Sequence, residues 1–461
     1  MTIRSSIGIS SLMSLVLACL AGPCLAAEGR VTPKPLPQKQ LSKAVLSQVK
    51  SSVDADMARL VGIFKDLHAH PEIAFTETRT AAIVVRELKA LGYEVTEPIA
   101  KTGVVAVMKN GAGSTVWYRA DMDAIQVKEA TGLAWAPQGP QRLADGTEID
   151  VMHGCGHDAH VTWLLGVARF MAQNKGLWSG TLVLYAQPAE EVGLGAQAMV
   201  DDKLWERGFP KPDFAFGMHT APGPVGFISS SPGKRMAGTD QLDIVFRGRG
   251  GHGSTPELTI DPVVMAAQAV NAYQTIISRN VDPQAAAVVT VGAIHAGTSN
   301  NVIPETAELM LNLRWFSRDV RDQMIRRIDE INAGIAQAAG VAVDRMPTRT
   351  MKGTAGPMIN DDALIAHINP TLTALLGHDQ VIDQFPAVMG SEDFQEAFAS
   401  LGTPYAFLLI GIAKPAVFAQ ARAEGRAFPF SNHSPIFEVD LDAIPVGAKV
   451  GVASVLSLLA K

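Results

Sequence analysis

Cysteine is scarce in this 461-residue chain: there are three, and Cys19 and Cys24 both fall within the first 27 residues. A disulfide-stapled scaffold is therefore excluded. Aromatic residues make up only 6% of the chain, too few to offer a stacking platform for bases. Positive charge is not in excess either, with 39 Lys and Arg against 45 Asp and Glu and a formal net charge of −6. That balance excludes an electrostatic footprint for nucleic acid or for an anionic membrane. Internal repeats and low-complexity arrays are missing, and the apolar run Ile7–Leu20 is too short to span a bilayer as a mature helix. What is present, 47% hydrophobic and 18% charged residues, describes a well-packed globular protein whose length predicts two domains.

The short apolar run has another meaning. Arg4 precedes it, and the small residues Ala21, Gly22, Ala26 and Ala27 follow, which reads as an export signal over residues 1–27. The mature protein is then expected to be periplasmic or secreted, to act on a small molecule, and to be free of the membrane. Residues 28–41, with Pro33, Pro35 and Pro37 alternating, predict an extended linker. Loss of the signal leaves Cys155 as the sole cysteine, and a lone thiol in an oxidising compartment calls for burial or a metal.

Hydrophobic periodicity places the elements. Helices are predicted over Ser42–His70 and Glu77–Leu91, then strands Val104–Met108 and Thr115–Arg119. A helix Val161–Asn174, a strand Thr181–Ala186 and a strand Phe214–Met218 ending in His219 follow. Strands alternating with helices predict an α/β sheet with helices on both faces. Over 236–346 the order becomes β-α-β-β-α-β, the ferredoxin-like unit, with its last strand predicted at Val341–Arg345. This is expected to be an inserted domain, dividing the catalytic domain into 42–235 and 347–461. The second part carries a helix Asp362–Leu376, the loop Met389–Phe394, a strand Ala406–Ile410, the loop around His433 and a helix Ile444–Leu459.

Chemistry concentrates in Met152–His160, MHGCGHDAH. Cys155 and His157 flank one glycine, so both side chains turn toward one point with no Cβ between them. Thiolate and imidazole suit a borderline-soft divalent cation. Glu190 and Glu191 follow an apolar strand into a Pro- and Gly-rich turn. Two adjacent carboxylates point different ways, so one binds metal while the other moves protons; a solvated acidic turn is the plainer alternative. His219 at a strand end and His433 in a loop read as structural when taken singly. Together, Cys155, His157, Glu191, His219 and His433 are too many ligands for one tetrahedral zinc but suit two ions. Asp121 and Asp123 leave the end of a buried strand, placed either to orient ligand histidines or to pair with Arg119.

The motifs RADMDA, MHGCGHDAH, YAQPAEEVGLGA, GRGGHGSTP, NNVIPETAEL, GSEDF and NHSPIF resemble those of the aminoacylase and glutamate-carboxypeptidase type of metallopeptidase. More narrowly they resemble its hippurate hydrolase and auxin-conjugate amidohydrolase branch, from about Leu60 to the C-terminus. The resemblance implies an α/β metallopeptidase domain with a central twisted mixed sheet flanked by helices, plus a ferredoxin-like lid. It implies metal ligands Cys155, His157, Glu191, His219 and His433, with the cysteine bridging, and Glu190 as general base beside Asp123. It implies that His252, among the glycines of Gly250–Gly253, is a lid group stabilising an oxyanion. Asn301 and Arg314 would hold a substrate carboxylate, although Arg314 on its strand has Asp319 or Glu308 as plainer partners. Two features depart from the pattern: Gly154 stands where relatives carry Ala, and Gln138–Asp150 is longer than in minimal relatives.

The expected protein is a dinuclear metal amidohydrolase acting on N-acyl or N-aroyl amino acids, or on small peptides with a free carboxylate. The expected cofactors are two divalent ions, Zn²⁺ or Mn²⁺ first, with Co²⁺ or Ni²⁺ as alternatives. Hinges for the lid are expected near Ser231–Ala237 and Arg345–Met351, and a homodimer through the lid is expected by analogy. An exported dipeptidase or carboxypeptidase on the same scaffold is the second reading. A non-catalytic periplasmic solute-binding protein is the third.

Overall fold

The computed structural model describes residues 34–461 apart from 39 and 144, so the export signal and the start of the linker lie outside the described residues. The described part of the linker does not hang free. The Lys34 backbone N–H donates to Asp213 Oδ1 at 3.1 Å, and Leu36 and Leu41 pack on the core.

The elements that position the site are α1 (Lys43–His68), α2 (Thr78–Ala90), β1 (Glu94–Ile99), β2 (Gly103–Asn110), β3 (Thr115–Asp121), α3 (His157–Gln173), β4 (Gly180–Gln187) and β5 (Phe214–Pro224). Next come β6 (Gly238–Arg247), α4 (Pro262–Thr275), β7 (Ala287–Ala296), β8 (Thr306–Trp315), α5 (Arg318–Ala338) and β9 (Thr348–Ala355). The chain closes with α6 (Asp362–Leu376), β10 (Tyr405–Ala413) and α7 (Ala443–Leu459). No helix among the described residues is long and apolar enough to cross a membrane.

The main sheet is mixed, ordered β1-β2-β4-β3-β5-β10 and extended by the short strands Ile228–Ser229 and Val381–Ile382. Its centre is parallel, β4-β3-β5-β10, and so both faces must be covered. Alternation along β3 serves both. Val116, Tyr118 and Ala120 enter the core beneath α1, α3 and α7, while Trp117 packs with Tyr185 and Phe398 on the opposite face. Arg119 points to that opposite side by the same period of two. Helices α3 and α7 approach so closely that a Cβ on Gly447 would lie 2.1 Å from the Trp163 ring.

The second sheet is antiparallel, ordered β7-β8-β6-β9, with α4 and α5 packed against it around Leu242, Ile244, Phe246, Leu309 and Leu311. Two expectations need correction here. Val341–Arg345 is not a strand: Val343–Arg345 is a 3-10 turn, and the fourth strand is β9, beyond residue 346, paired with β6 from Val245↔Thr348 to Thr239↔Ala355. The stretch Arg345–Met351, expected as a hinge, is therefore partly held in a sheet edge. Thr348–Met351 is exposed, so burial leaves no apolar alternation there to read.

Candidate active site

The Cys155-Gly156-His157 turn is built as the spacing demands. Gly156 has φ +84°, and a Cβ there would lie 2.6 Å from Thr220 Cγ2. His157 opens α3, so the helix starts at a candidate ligand and not at Val161 as expected. The strand carrying His219 also differs from expectation, because β5 runs on to Pro224. Thr220, next along it, donates its hydroxyl to the Cys155 carbonyl at 2.6 Å. Its own carbonyl lies 2.7 Å from His219 Nδ1, which leaves His219 Nε2 facing Cys155 Sγ at 3.4 Å. The C-terminal loop closes the turn from the other side. The His433 N–H donates to Gly154 O at 2.8 Å, and His433 Nε2 lies 3.1 Å from Glu191 Oε2. Cys155 and His219 are buried, whereas His433 is exposed and forms the open wall.

Asp123 does not pair with Arg119. It accepts the backbone N–H groups of Glu190 and Glu191 at 3.0 and 2.9 Å and lies 3.3 Å from His157 Nδ1. One carboxylate thus fixes the glutamate turn against the first ligand histidine. Asp121 takes both roles foreseen for it. It lies 3.3 Å from His157 Nε2 and accepts from Arg119 Nη1 at 2.7 Å, with its other oxygen on His160 Nδ1.

Burial is the largest influence on Glu190 and, with Glu392 and Glu191 nearby, raises its pKa well above the ordinary carboxylate range. Burial also opposes ionisation of Glu191, but His433 and His157 outweigh it and hold this carboxyl below its usual value. The pair is split as a proton shuttle beside a permanent anion would be. For Cys155, burial is overcome by His219 and by hydrogen bonds from His157 and His219, and the thiol is lowered to about 6.

These residues fit cations. Oε1 of Glu191 is buried without a hydrogen-bond partner, and the buried nitrogens of His157 have only the carboxylates of Asp123 and Asp121, each at 3.3 Å and short of a well-formed hydrogen bond, a set of donors that a cation would satisfy. Donor atoms of Cys155, His157 and His219 lie within 4.8 Å of one another, and so do those of Cys155, Glu191 and His433. The two sets share the thiol. A rival grouping of Asp121, His157 and His160 is spent on other contacts: His160 Nδ1 faces Asp121, and its Nε2 accepts Thr220 N–H at 2.9 Å.

The second-domain residues are not drawn into this cluster. His252 is exposed on a short bridge with Val302–Ile303, its Nδ1 accepting from Ser254 N at 3.1 Å. Asn301 meets the same loop, its carbonyl accepting Gly253 N–H at 2.8 Å. Neither makes a hydrogen bond or ion pair with the Cys155 cluster among the described residues. Arg314 does reach the other domain. It pairs with neither Asp319 nor Glu308, and donates instead to Asn312 Oδ1 at 2.7 Å and to Ser391 Oγ at 2.6 Å.

Residues 117–454 match the model of Peptidase family M20/M25/M40. The chain belongs to that family. Hippurate hydrolase of Campylobacter jejuni is 38% identical over 345 residues, covering 74% of this chain and 85% of the relative. The IAA-amino acid hydrolase ILR1-like 4 of Arabidopsis thaliana is 33% identical over 394 residues, covering 85% and 83%. Among solved structures, the Bacillus subtilis YXEP protein, described as a dinuclear metal binding peptidase of the M20 family, superposes with a TM-score of 0.69 at 28% identity. That match covers 88% of this chain and 99% of the other. As a member of this M20 family, the chain is a metal-dependent amidohydrolase or peptidase and not a non-catalytic solute-binding protein.

Glu392 and Asp393, within the GSEDF motif, are buried beside the M20 site without having been expected as site residues. Arg119, fully buried, donates from Nη2 to Glu392 Oε1 at 2.8 Å and from Nε to Gln187 Oε1 at 3.0 Å, and Asp393 Oδ2 accepts Ala196 N–H at 2.9 Å. The signal for them was the pair of acids directly before Phe394: two charges leading into an apolar residue need a buried partner.

Proposed function

We propose that this chain is an exported amidohydrolase that cleaves the amide bond of N-acyl or N-aroyl amino acids bearing a free carboxylate. The observation that carries the reading is one buried thiol shared by two ligand sets, Cys155 with His157 and His219 and Cys155 with Glu191 and His433, with Glu190 Oε2 3.7 Å from His157 Nε2. Cys155, His157, Glu191, His219 and His433 would hold two divalent cations, Zn²⁺ or Mn²⁺. Such a pair, when bound, polarises the scissile carbonyl and makes a water nucleophilic near neutral pH.

The chain's own residues do the rest. Ionised by the positive charge of bound cations, Glu190 would take the proton of the attacking water and return it to the leaving nitrogen, a task for which a buried carboxyl of raised proton affinity is suited. Asp123 keeps the Glu190–Glu191 turn aimed by holding both amides. His252 would donate to the developing oxyanion, and Asn301 with Arg314 would grip the substrate carboxylate. That assignment requires the second domain to approach the first. Export is supported by the N-terminal run and by the single thiol that remains after residue 27.

The test is elemental analysis of the purified protein with hydrolysis of a panel of acyl amino acids and dipeptides, repeated on Glu190→Gln. The variant should keep its metal content and lose about 10²–10⁴ in kcat. Retained turnover in a metal-loaded variant removes Glu190 from this role. A panel that favours dipeptides supports the exported dipeptidase or carboxypeptidase reading, which the peptidase description of YXEP also favours.

A further inference from the structure

Strained backbone in this molecule gathers around one side chain outside the site. Six described non-glycine residues have positive φ, and four of them, Phe75 (62°), Ala100 (49°), Lys101 (76°) and Ala189 (55°), lie in three segments that meet at Glu77. Such conformations persist only where the surroundings over-determine them. Glu77, immediately before α2, is fully buried. Its Oε1 accepts the N–H of Phe75 at 2.9 Å and that of Ala189 at 2.9 Å, and its Oε2 accepts the Thr102 hydroxyl at 2.5 Å. Ala189 is itself buried and directly precedes Glu190 and Glu191. The amides of residues 189, 190 and 191 are thus all held by two carboxylates, Glu77 for the first and Asp123 for the other two.

We propose that Glu77 is a positioning residue for the reaction: it clamps Ala189 in the left-handed conformation and so aims Glu190 and Glu191 into the site. The inference rests on the roles proposed above for those two glutamates. The clamp needs an acceptor oxygen at a fixed reach and no charge. A glutamine can present its carbonyl oxygen to the two amides and its NH₂ to the rotatable Thr102 hydroxyl. An aspartate keeps the charge but falls one methylene short of Ala189.

Glu77→Gln and Glu77→Asp therefore separate reach from charge. The first readout is hydrogen–deuterium exchange of peptides covering residues 187–195, which needs neither metal nor substrate. The Asp variant should lose protection there while the Gln variant keeps it. The second is Zn²⁺ affinity by chelator competition, and the third is kcat on an acyl amino acid. Both should fall about tenfold or more in the Asp variant, with KM little changed, and stay within about threefold in the Gln variant. The reverse order, with Asp sound and Gln impaired, overturns the proposal, and so does an equal effect of both or no effect of either. If the Asp variant does not fold, Glu77→Asp with Ala189→Gly decides, because glycine takes positive φ without a clamp. Recovery of folded, Zn²⁺-binding protein supports the clamp, and its absence overturns it. Should the wild type hydrolyse none of the panel, the functional reading fails while the exchange measurement still decides the clamp.

Discussion

The side chains of the cluster differ in which of them must give up a proton to a cation. In the cation-free protein the Cys155 thiol sits at about 6. Burial works against a charged His219, but Cys155 raises it to about 9, and hydrogen bonds to Cys155 and Glu191 raise His433 to about 10. At neutral pH the thiolate is therefore already formed, and the imidazoles of His219 and His433, with that of His157, which against burial Asp121 and Asp123 hold well above its usual value, carry protons that a binding cation must expel. Since these values lie above neutrality, Zn²⁺ affinity should climb with rising pH by about tenfold per unit for each proton released, and level off once the imidazoles are neutral. Chelator competition across the neutral to alkaline range measures this, and an affinity flat with pH would mean that the imidazoles do not ligate. At this scale the sequence was most informative where residues are rare. Cys155 two residues from His157 points to a metal only in company with Glu191, His219 and His433, whereas the Arg119 network joins residues 119, 187, 392 and 393 and exists only through folding.

Between α3 and β5, the decisive element contact is the one at Gly156. With φ +84° and Thr220 Cγ2 2.6 Å from any added Cβ, Gly156→Ala should destabilise the protein by about 1–3 kcal/mol and weaken Zn²⁺ binding. Denaturant unfolding with a metal titration checks both, and an alanine variant of native stability and affinity contradicts the steric account. Elements with strong periodicity were legible from sequence: α6 spans Asp362–Leu376 as expected. The end of β5 was not, because His219-Thr-Ala-Pro-Gly-Pro224 has the composition of a turn. It is kept extended by parallel pairing with β10 through Ile410↔Thr220 and Gly411↔Ala221, a contact with residues far along the chain. Strand β9 escaped for the opposite reason, since an exposed polar edge strand is defined by its partner alone. The Gln138–Asp150 stretch turned out to carry a small hairpin, Gln141–Arg142 with Glu148–Ile149.

Across the whole molecule, Arg314 is the side chain that joins the second domain to the acidic loop of the first, through Ser391. No carboxylate pairs with it among the described residues, so its charge is free for an anionic substrate group. Arg314→Ala should raise KM for acyl amino acids with a free carboxylate by about tenfold or more, while leaving the C-terminally amidated analogues nearly unaffected. Equal rises for both substrate forms would show a packing role instead. The first five elements of the β6-to-β9 unit were readable because they pack around an apolar core of their own, while its last strand was not. Where the second domain's His252 and Asn301 stand relative to the thiol was not, since no pattern in a sequence encodes that separation.

The burial of Arg119 among acids from two separate segments, Asp121 and the Glu392–Asp393 pair, has a consequence for how such an enzyme diversifies. Its chemistry is welded into the protein's interior, where nearly any substitution costs the fold itself. The loops of His252 and Asn301, proposed above to meet the substrate, are exposed and lie outside that network. On that proposal, drift in the loops would leave the interior untouched, and a lineage would be free to change its diet without relearning how to hydrolyse.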